Sequence, residues 1–370
     1  MLPRPLLQQA IGDRVASAIA LAYSVNGENN CIDLGSTSQV DTAENATLFA
    51  ATPVGPNTVF DLASLTKPMA TLTLLAQLLS EQTLRLEDTL ERHLPLARNT
   101  PLGSATIGQL VSHTSGAPAW LDFYAATAAV ASHRVEEIQH RVLNTPLTHR
   151  RGTVAVYSDL GYMSMGWMLE AVLGQPLNDA FALRIAQPLQ ISAHFRPSSQ
   201  NLPPTDVVAT EIWPPRCPDG SPLRGAVHDD NAAALGGVAG HAGLFSSSRD
   251  VLRWAQAWLA AISWDHQSAA APLGLSREVC RRLVATAGCD QTSWRHGWDT
   301  PTQPGSSAGD RAPTDTFGHL GFTGTSVWIS PQHGICIVLL TNRVHPTRDR
   351  VGGIRALRPA LHDCLWQLLL

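Results

Sequence analysis

Ser64 and Lys67 stand three residues apart at the start of SLTKPMATLTLLAQLL, a stretch over 64–79 whose apolar pattern predicts a buried helix. That spacing puts both side chains on one helix face. A serine hydroxyl is a weak nucleophile until a base takes its proton, and a desolvated lysine can be that base. Arginine cannot, because it keeps its proton in proteins. Composition sharpens the point: the chain carries 26 basic residues, and Lys67 is its only lysine. A helix start also aims unpaired N–H groups and a partial positive charge at whatever sits there. This field opposes the protonated amine and favours negative charge on an attacking serine or an oxyanion. The expectation is a nucleophile, Ser64, beside an uncharged Lys67. The plainer alternative is a capping serine next to a surface lysine.

The elements that must position this pair follow from patterning. Residues 5–15 have helical spacing, and SAIALAYSVNGENNCIDLGSTS reads as two strands about the turn-forming Asn26-Gly27. TVFDLAS is a short extended lead-in to Ser64. Residues 84–195 are mostly helical in pattern, including SATIGQLVSHTSG, ended by Gly116, and GYMSMGWMLEAVLG, ended by Gly174. A proline-rich stretch, 196–225, predicts a long ordered loop. VLRWAQAWLAAI starts another helix behind Ser247 and Asp250, which have capping-box spacing. Two strands, FTGTSVWIS and GICIVLLTN, joined by Pro331-Gln332-His333-Gly334, precede a last helix near Val351. Strands at both ends around a helical middle imply an α/β (α+β) fold. Residues 1–83 and 245–370 form a discontinuous α/β domain, and 84–244 a mainly helical insertion with a long loop at 196–244.

Two further segments turn the pair into an ordered set. Tyr157-Ser158-Asp159 lies just before a helix, and His319-Leu320-Gly321 opens the strand FTGTSVWIS. The order S-x-x-K, Y-x-N-like, K-T-G-like resembles the serine β-lactamase and penicillin-binding family. It is most similar to the class C β-lactamase group with its D-alanyl-D-alanine carboxypeptidase and esterase relatives. FDLASLTKPMAT, TIGQLVSHTSG, YSDLGYMSMG, GGVAGHAGLFSSSRDV and HLGFTGTSVWIS all share that likeness, which spans roughly residues 15–345. The resemblance implies a β-lactamase/transpeptidase-like fold, an antiparallel sheet flanked by helices plus an all-α insertion domain. It implies catalysis through an acyl-enzyme on Ser64, with Lys67 as proton acceptor or electrostatic partner. Tyr157 would be a second proton shuttle that also activates the deacylating water, its phenol pKa lowered by Lys67. The oxyanion hole would be the N–H groups of Ser64 and Phe322. Asp159, His319, Gly321, Phe322 and Thr323 would bind substrate, with Gly321 admitting the substrate backbone close to the strand. Two departures stand out. Asp159 replaces a usual Asn, adding charge and removing an amide donor, and His319 replaces a usual Lys, leaving a partly protonated group to hold a substrate carboxylate. No glutamate suits a class A deacylating loop.

Rival sites have plainer accounts. Gly305-Ser306-Ser307-Ala308-Gly309 matches G-x-S-x-G but lacks the flanking strand and helix, so a flexible loop beside the cleft is expected. His228, Asp229, Asp230 and His241 match no metal-ligand spacing and read as a hydrogen-bonded, glycine-rich loop. His113 reads as a structural histidine at a helix end and Glu170 as part of a solvated face. Neither metal nor organic cofactor is expected. Partners are small molecules, a peptide, an ester or a β-lactam. Net charge is −4 without a basic stripe, which argues against nucleic acid, and no apolar run reaches a membrane span. The oligomeric state stays open. Six scattered cysteines without C-x-x-C predict free thiols, and the absence of a signal-like h-region predicts the cytoplasm, unless trimming of a longer precursor makes the protein periplasmic or secreted. Alternatives to a β-lactamase-like or carboxypeptidase-like enzyme are a carboxylesterase of the same fold and a non-catalytic ligand sensor.

Overall fold

The computed structural model describes residues 3–39, 51–130, 132–196, 206–263 and 272–370. The two ends of the chain build one antiparallel sheet. Strand β1 (Ala18–Val25) turns at Asn26-Gly27, both at positive φ, into β2 (Glu28–Gly35). The short β3 (Phe60–Asp61) leads to Ser64. From the middle of the chain come β4 (His194–Phe195), β5 (Ala209–Ile212) and β6 (Pro222–Arg224), then β7 (Leu244–Ser246). The C-terminal region supplies β8 (Phe317–Leu320), β9 (Ser326–Ser330) and β10 (Ile335–Thr341). The main sheet runs β2-β1-β10-β9-β8, with Leu21 opposite Leu339, so first and last strands are neighbours. A small sheet β3-β7-β4 holds the lead-in to Ser64.

Period-two alternation explains the layers. On β10, Ile335, Ile337 and Leu339 face one core with Ile19 and Leu21, closed by helices α1 (Pro3–Gly12) and the C-terminal Val351–Leu369. Cys336, Val338 and Leu340 face the larger core with Ala20, Ala22 and Trp254, under the helix Ser248–Ser263. The helix Asp159–Leu173, stopped by Gly174 at φ +66°, lies deep in that core. Glycine is required where it meets the 237–243 loop. A Cβ on Gly166 would stand 2.9 Å from Gly240 N, and one on Gly240 would stand 2.1 Å from Tyr162 O.

Several expectations are corrected. The helix after Ser64 is not uniform: a 3-10 turn, Ala63–Leu65, passes into wide π turns, Lys67–Leu72, then into α-helix Thr73–Ser80. Thr71 donates to Gly240 O at 2.6 Å and Thr73 to Pro68 O at 2.8 Å, and these bonds hold the widened segment. The stretch 104–116 is helical only over Ile107–Val111, where Thr106 and Gln109 form a capping box. His319-Leu320 ends β8 rather than opening a strand, and 321–325 is the turn into β9. The 196–225 stretch contains β5 and β6, while 197–205 lie outside the described residues. The 305–309 turn is anchored beneath the last helix, not beside the cleft: Ala308 O accepts from Trp366 and Ser307 O contacts His362 Nδ1 at 2.6 Å. Glu170 is not a solvated face, because its carboxylate accepts the Leu177 N–H at 2.9 Å and burial raises its pKa. Ser247 caps Asp250 N, but the Asp250 carboxylate turns to Ser192 N, so the capping box is half formed.

Candidate active site

A cavity of about 650 Å³ lies where β8, the 3-10 turn, the start of Asp159–Leu173 and the C-terminal helix meet. Ser64, Tyr157, Asp159, His319, Gly321 and Phe322 line it. Lys67 lies just behind, fully buried. Its Nζ donates to Ser64 Oγ at 3.0 Å and to His241 O at 3.3 Å, and makes an ion pair with Asp159 Oδ1 at 2.7 Å. It also stands 4.7 Å from the centre of the Tyr157 ring. Lys67 and Ser64 both act on the Tyr157 hydroxyl, each favouring its ionised form.

The charge state differs from expectation. Burial pushes the Lys67 pKa down, but Asp159 and then Tyr157 more than offset it, and the value ends above the ordinary lysine range. Lys67 is an ammonium whose three N–H donors have three acceptors. Tyr157 is also raised, by burial first and by Asp159, against a lowering influence from Lys67, so the resting phenol keeps its proton.

His113, at the end of the Ile107–Val111 helix with φ +62°, accepts the Ser158 N–H at Nδ1 and packs 4.6 Å from the Tyr157 ring. Burial first, then Lys67 and His319, hold its pKa well down, so it is a neutral structural group that fixes the Tyr157–Asp159 segment.

Three of the expected substrate-binding residues are held by contacts within the protein itself. His319 is buried, and burial and then Lys67 lower its pKa to about 3. Nδ1 lies 2.8 Å from Leu320 O, and a neutral ring there carries its proton on Nδ1, so Nε2 is an unpartnered acceptor rather than a cation for a carboxylate. Thr323 is buried, donates to Asp61 O at 2.8 Å and does not line the cavity. Gly321 is required by the protein itself: a Cβ there would lie 2.0 Å from Thr325 Oγ1 and 2.6 Å from Leu62 O. Phe322 is half exposed, stacked 5.7 Å from His228, with the Arg343 guanidinium 4.2 Å from its ring centre.

His228, Asp229 and Asp230 do line the cavity, held by side-chain bonds. His228 pairs with Glu211 at 2.9 Å and His241 with Asp229 at 3.0 Å, and Asp230 contacts Arg216 and Arg348. Burial pushes the Asp229 carboxyl up, yet His241 and the Ala232 N–H hold it well below the usual carboxylate range. Among the described residues no group of three or more His, Cys, Asp or Glu is arranged to hold a metal.

Sequence reasoning missed Asp61, Trp294 and the arginines of the far wall. Arg355 and Arg358 line the cavity from the C-terminal helix, and neither makes an ion pair among the described residues. The signal was present as four arginines between Arg343 and Arg355 in a region read only as a strand end and helix start.

A serine bonded to a buried lysine, with a tyrosine ring beside that lysine, lies at a cleft between an antiparallel sheet and a helical layer. The family pattern described as Beta-lactamase matches residues 11–362, and the chain belongs to that family. It is 31% identical over 319 residues to an Escherichia coli (strain K12) protein named "Putative D-alanyl-D-alanine carboxypeptidase", covering 79% of this chain and 71% of that protein. It is also 31% identical to a Bacillus subtilis (strain 168) protein named N-acetylmuramyl-L-alanine amidase, covering 78% and 68%. Among solved structures, a class C β-lactamase superposes with a TM-score of 0.72 at 16% identity, covering 99% of this chain and 96% of that one. EstCE1, a hydrolase with promiscuous acyltransferase activity, superposes at 0.73 and 20% identity, covering 98% and 97%. These structures share the β-lactamase/transpeptidase-like fold, and the chain is a serine hydrolase. No described helix is long and apolar enough to cross a membrane.

Proposed function

We propose that the enzyme hydrolyses a small peptide amide built on D-amino acids through an acyl-enzyme on Ser64. The observation that carries this is the 3.0 Å contact between Ser64 Oγ and a sealed Lys67 Nζ beneath the cavity. Ser64 Oγ attacks the carbonyl carbon while its proton passes into the Lys67–Tyr157 pair. At rest that pair is ammonium and phenol, so it must first lose one proton, and the rate rises toward alkaline pH. The oxyanion sits against the N–H groups of Ser64 and Phe322. As the carbon–nitrogen bond breaks, Tyr157 gives a proton to the leaving amine. The same tyrosine then takes a proton from the water that releases the acid and frees Ser64.

The arginine face supports a leaving group with a free carboxylate, the task His319 cannot perform. Arg358 is buried with its Nε unpartnered, and Arg355 is exposed at the cavity edge. Burial, and then Arg343, lower the Arg358 pKa to about 10, which still leaves a cation at neutral pH. The exposed aromatic rim of Trp120 and Phe322 favours the second reading, a carboxylesterase. Six cysteines, three of them buried, form no disulfide among the described residues, which supports a reducing compartment.

A mass spectrum of the intact protein after incubation with a fluorophosphonate and with a D-Ala-D-Ala peptide tests the proposal. The wild type should gain one adduct and Ser64→Ala none. An adduct persisting in Ser64→Ala refutes the nucleophile, and turnover of p-nitrophenyl esters without peptide cleavage selects the esterase.

A further inference from the structure

Immediately before the nucleophile the backbone is strained. Ala63 adopts φ +47°, a left-handed conformation that strains a non-glycine residue and persists only where its surroundings hold it. Its N–H is held by Asp61, which is 2% exposed and does not line the cavity. Its Oδ1 accepts the Ala63 N–H at 2.8 Å, and its Oδ2 accepts the His228 N–H at 2.6 Å. Its main-chain carbonyl accepts the Thr323 hydroxyl at 2.8 Å. The next carbonyl, Leu62 O, accepts the Thr325 hydroxyl at 3.1 Å. No ion pair reaches this carboxylate among the described residues.

These bonds converge on two amides. Ala63 precedes Ser64, and Thr323 follows Phe322. His228, held through its own N–H, stacks on the Phe322 ring. We propose that Asp61 is a positioning residue that sets the separation of the Ser64 and Phe322 N–H groups, by joining the strained turn, the 228 loop and the 321–325 turn. The inference rests on the oxyanion-hole assignment above. A carboxylate is needed because two N–H donors approach it, and each requires an acceptor. An asparagine of the same shape would turn an amide N–H against one of them.

Asp61→Asn in the full chain, assayed with p-nitrophenyl acetate, tests this. The variant should lose about 10²-fold in kcat, the scale of a roughly 1 Å misplacement of reacting groups, with KM within about two-fold of wild type. Thr323→Val, which removes only the hydroxyl, should lose kcat in the same way by about 10-fold, and Thr323→Ser should recover most of it. A merely structural role predicts a lower Tm with kcat intact at 25 °C, and that result overturns the proposal. So does a loss confined to KM. Should Asp61→Asn fail to fold, the Val and Ser pair decides alone. Unchanged turnover by Ser64→Ala would instead overturn the nucleophile, and this inference with it. A dead Ser64→Ala beside a fully active Asp61→Asn would overturn the inference only.

Discussion

Replacing Asp159 with asparagine keeps the shape of the site and removes one charge from the side of a buried ammonium. At 2.7 Å, two unit charges in an effective dielectric of about 20 attract by about 6 kcal/mol. Desolvation of both groups offsets much of this. Measured losses on removing one partner of a buried pair are about 3–5 kcal/mol, and the 16% exposure of the Asp159 side chain places this pair at the low end, about 3 kcal/mol. For a chain of 370 residues that corresponds to a fall in Tm of about 4 °C. The sign follows from the pKa. Lys67 lies above its unfolded value, so the ion pair's stabilisation is complete below the unfolded lysine pKa and is lost only as pH rises through the folded one. At neutral pH the variant therefore shows the full loss. Without Asp159, burial becomes the dominant influence and the Lys67 pKa falls. The Lys67–Tyr157 pair then gives up its proton more readily, and the ascending limb of kcat/KM against pH moves to lower pH. Initial rates on p-nitrophenyl acetate from about pH 5 to 10, beside thermal melts, measure both effects. A limb that stays in place, or moves to higher pH, refutes the assignment of Asp159 as the group that keeps Lys67 protonated.

Gly321→Ala should cost about 1–3 kcal/mol and most of the activity, since the new Cβ meets Leu62 O two residues before Ser64; circular dichroism melts and ester turnover would measure it, and an unperturbed variant would refute the close approach. Acid should destabilise the protein through its buried neutral histidines. Burial is the largest cause lowering His319 to about 3 and His296 and His362 to about 4, so the unfolded chain binds more protons, and stability rises with pH between those values and about 6.5. Chemical denaturation across that range should show the slope, and His362→Gln should reduce it by up to about 1.4 kcal/mol per pH unit. An unchanged slope would mean that His362 is not neutral in the folded state.

What was legible in the sequence was set by local period and turn chemistry. The β1–β2 hairpin follows from alternating apolar residues around Asn26-Gly27, and the stop of Asp159–Leu173 follows from Gly174. The ordered triplet Ser64, Lys67 and Tyr157 was legible because each member carries a local signature, and the structure brings all three together. The wide turns after Ser64 were not, because Thr71 is held by Gly240 O, 169 residues away. Nor was the direction of Thr323, which the resemblance implies for substrate and which packing turns onto Asp61.

The charge on Lys67 shows where a local argument loses. The helix-start field that, beside desolvation, favours a neutral amine is an effect of about 0.3–1 kcal/mol and at most about 2. Lys67 instead enters widened turns and meets a full carboxylate at 2.7 Å, from a residue 92 positions later in the chain. That contact is several times stronger than the field it opposes. Asp159 differs from the usual Asn by an added charge and a lost amide donor. Its contact in the structure is with the Lys67 amine, whose pKa it raises against the lowering influence of burial. Burial, and then Lys67, leave the His319 imidazole neutral, and the cations that line the cavity are the arginines of the far wall.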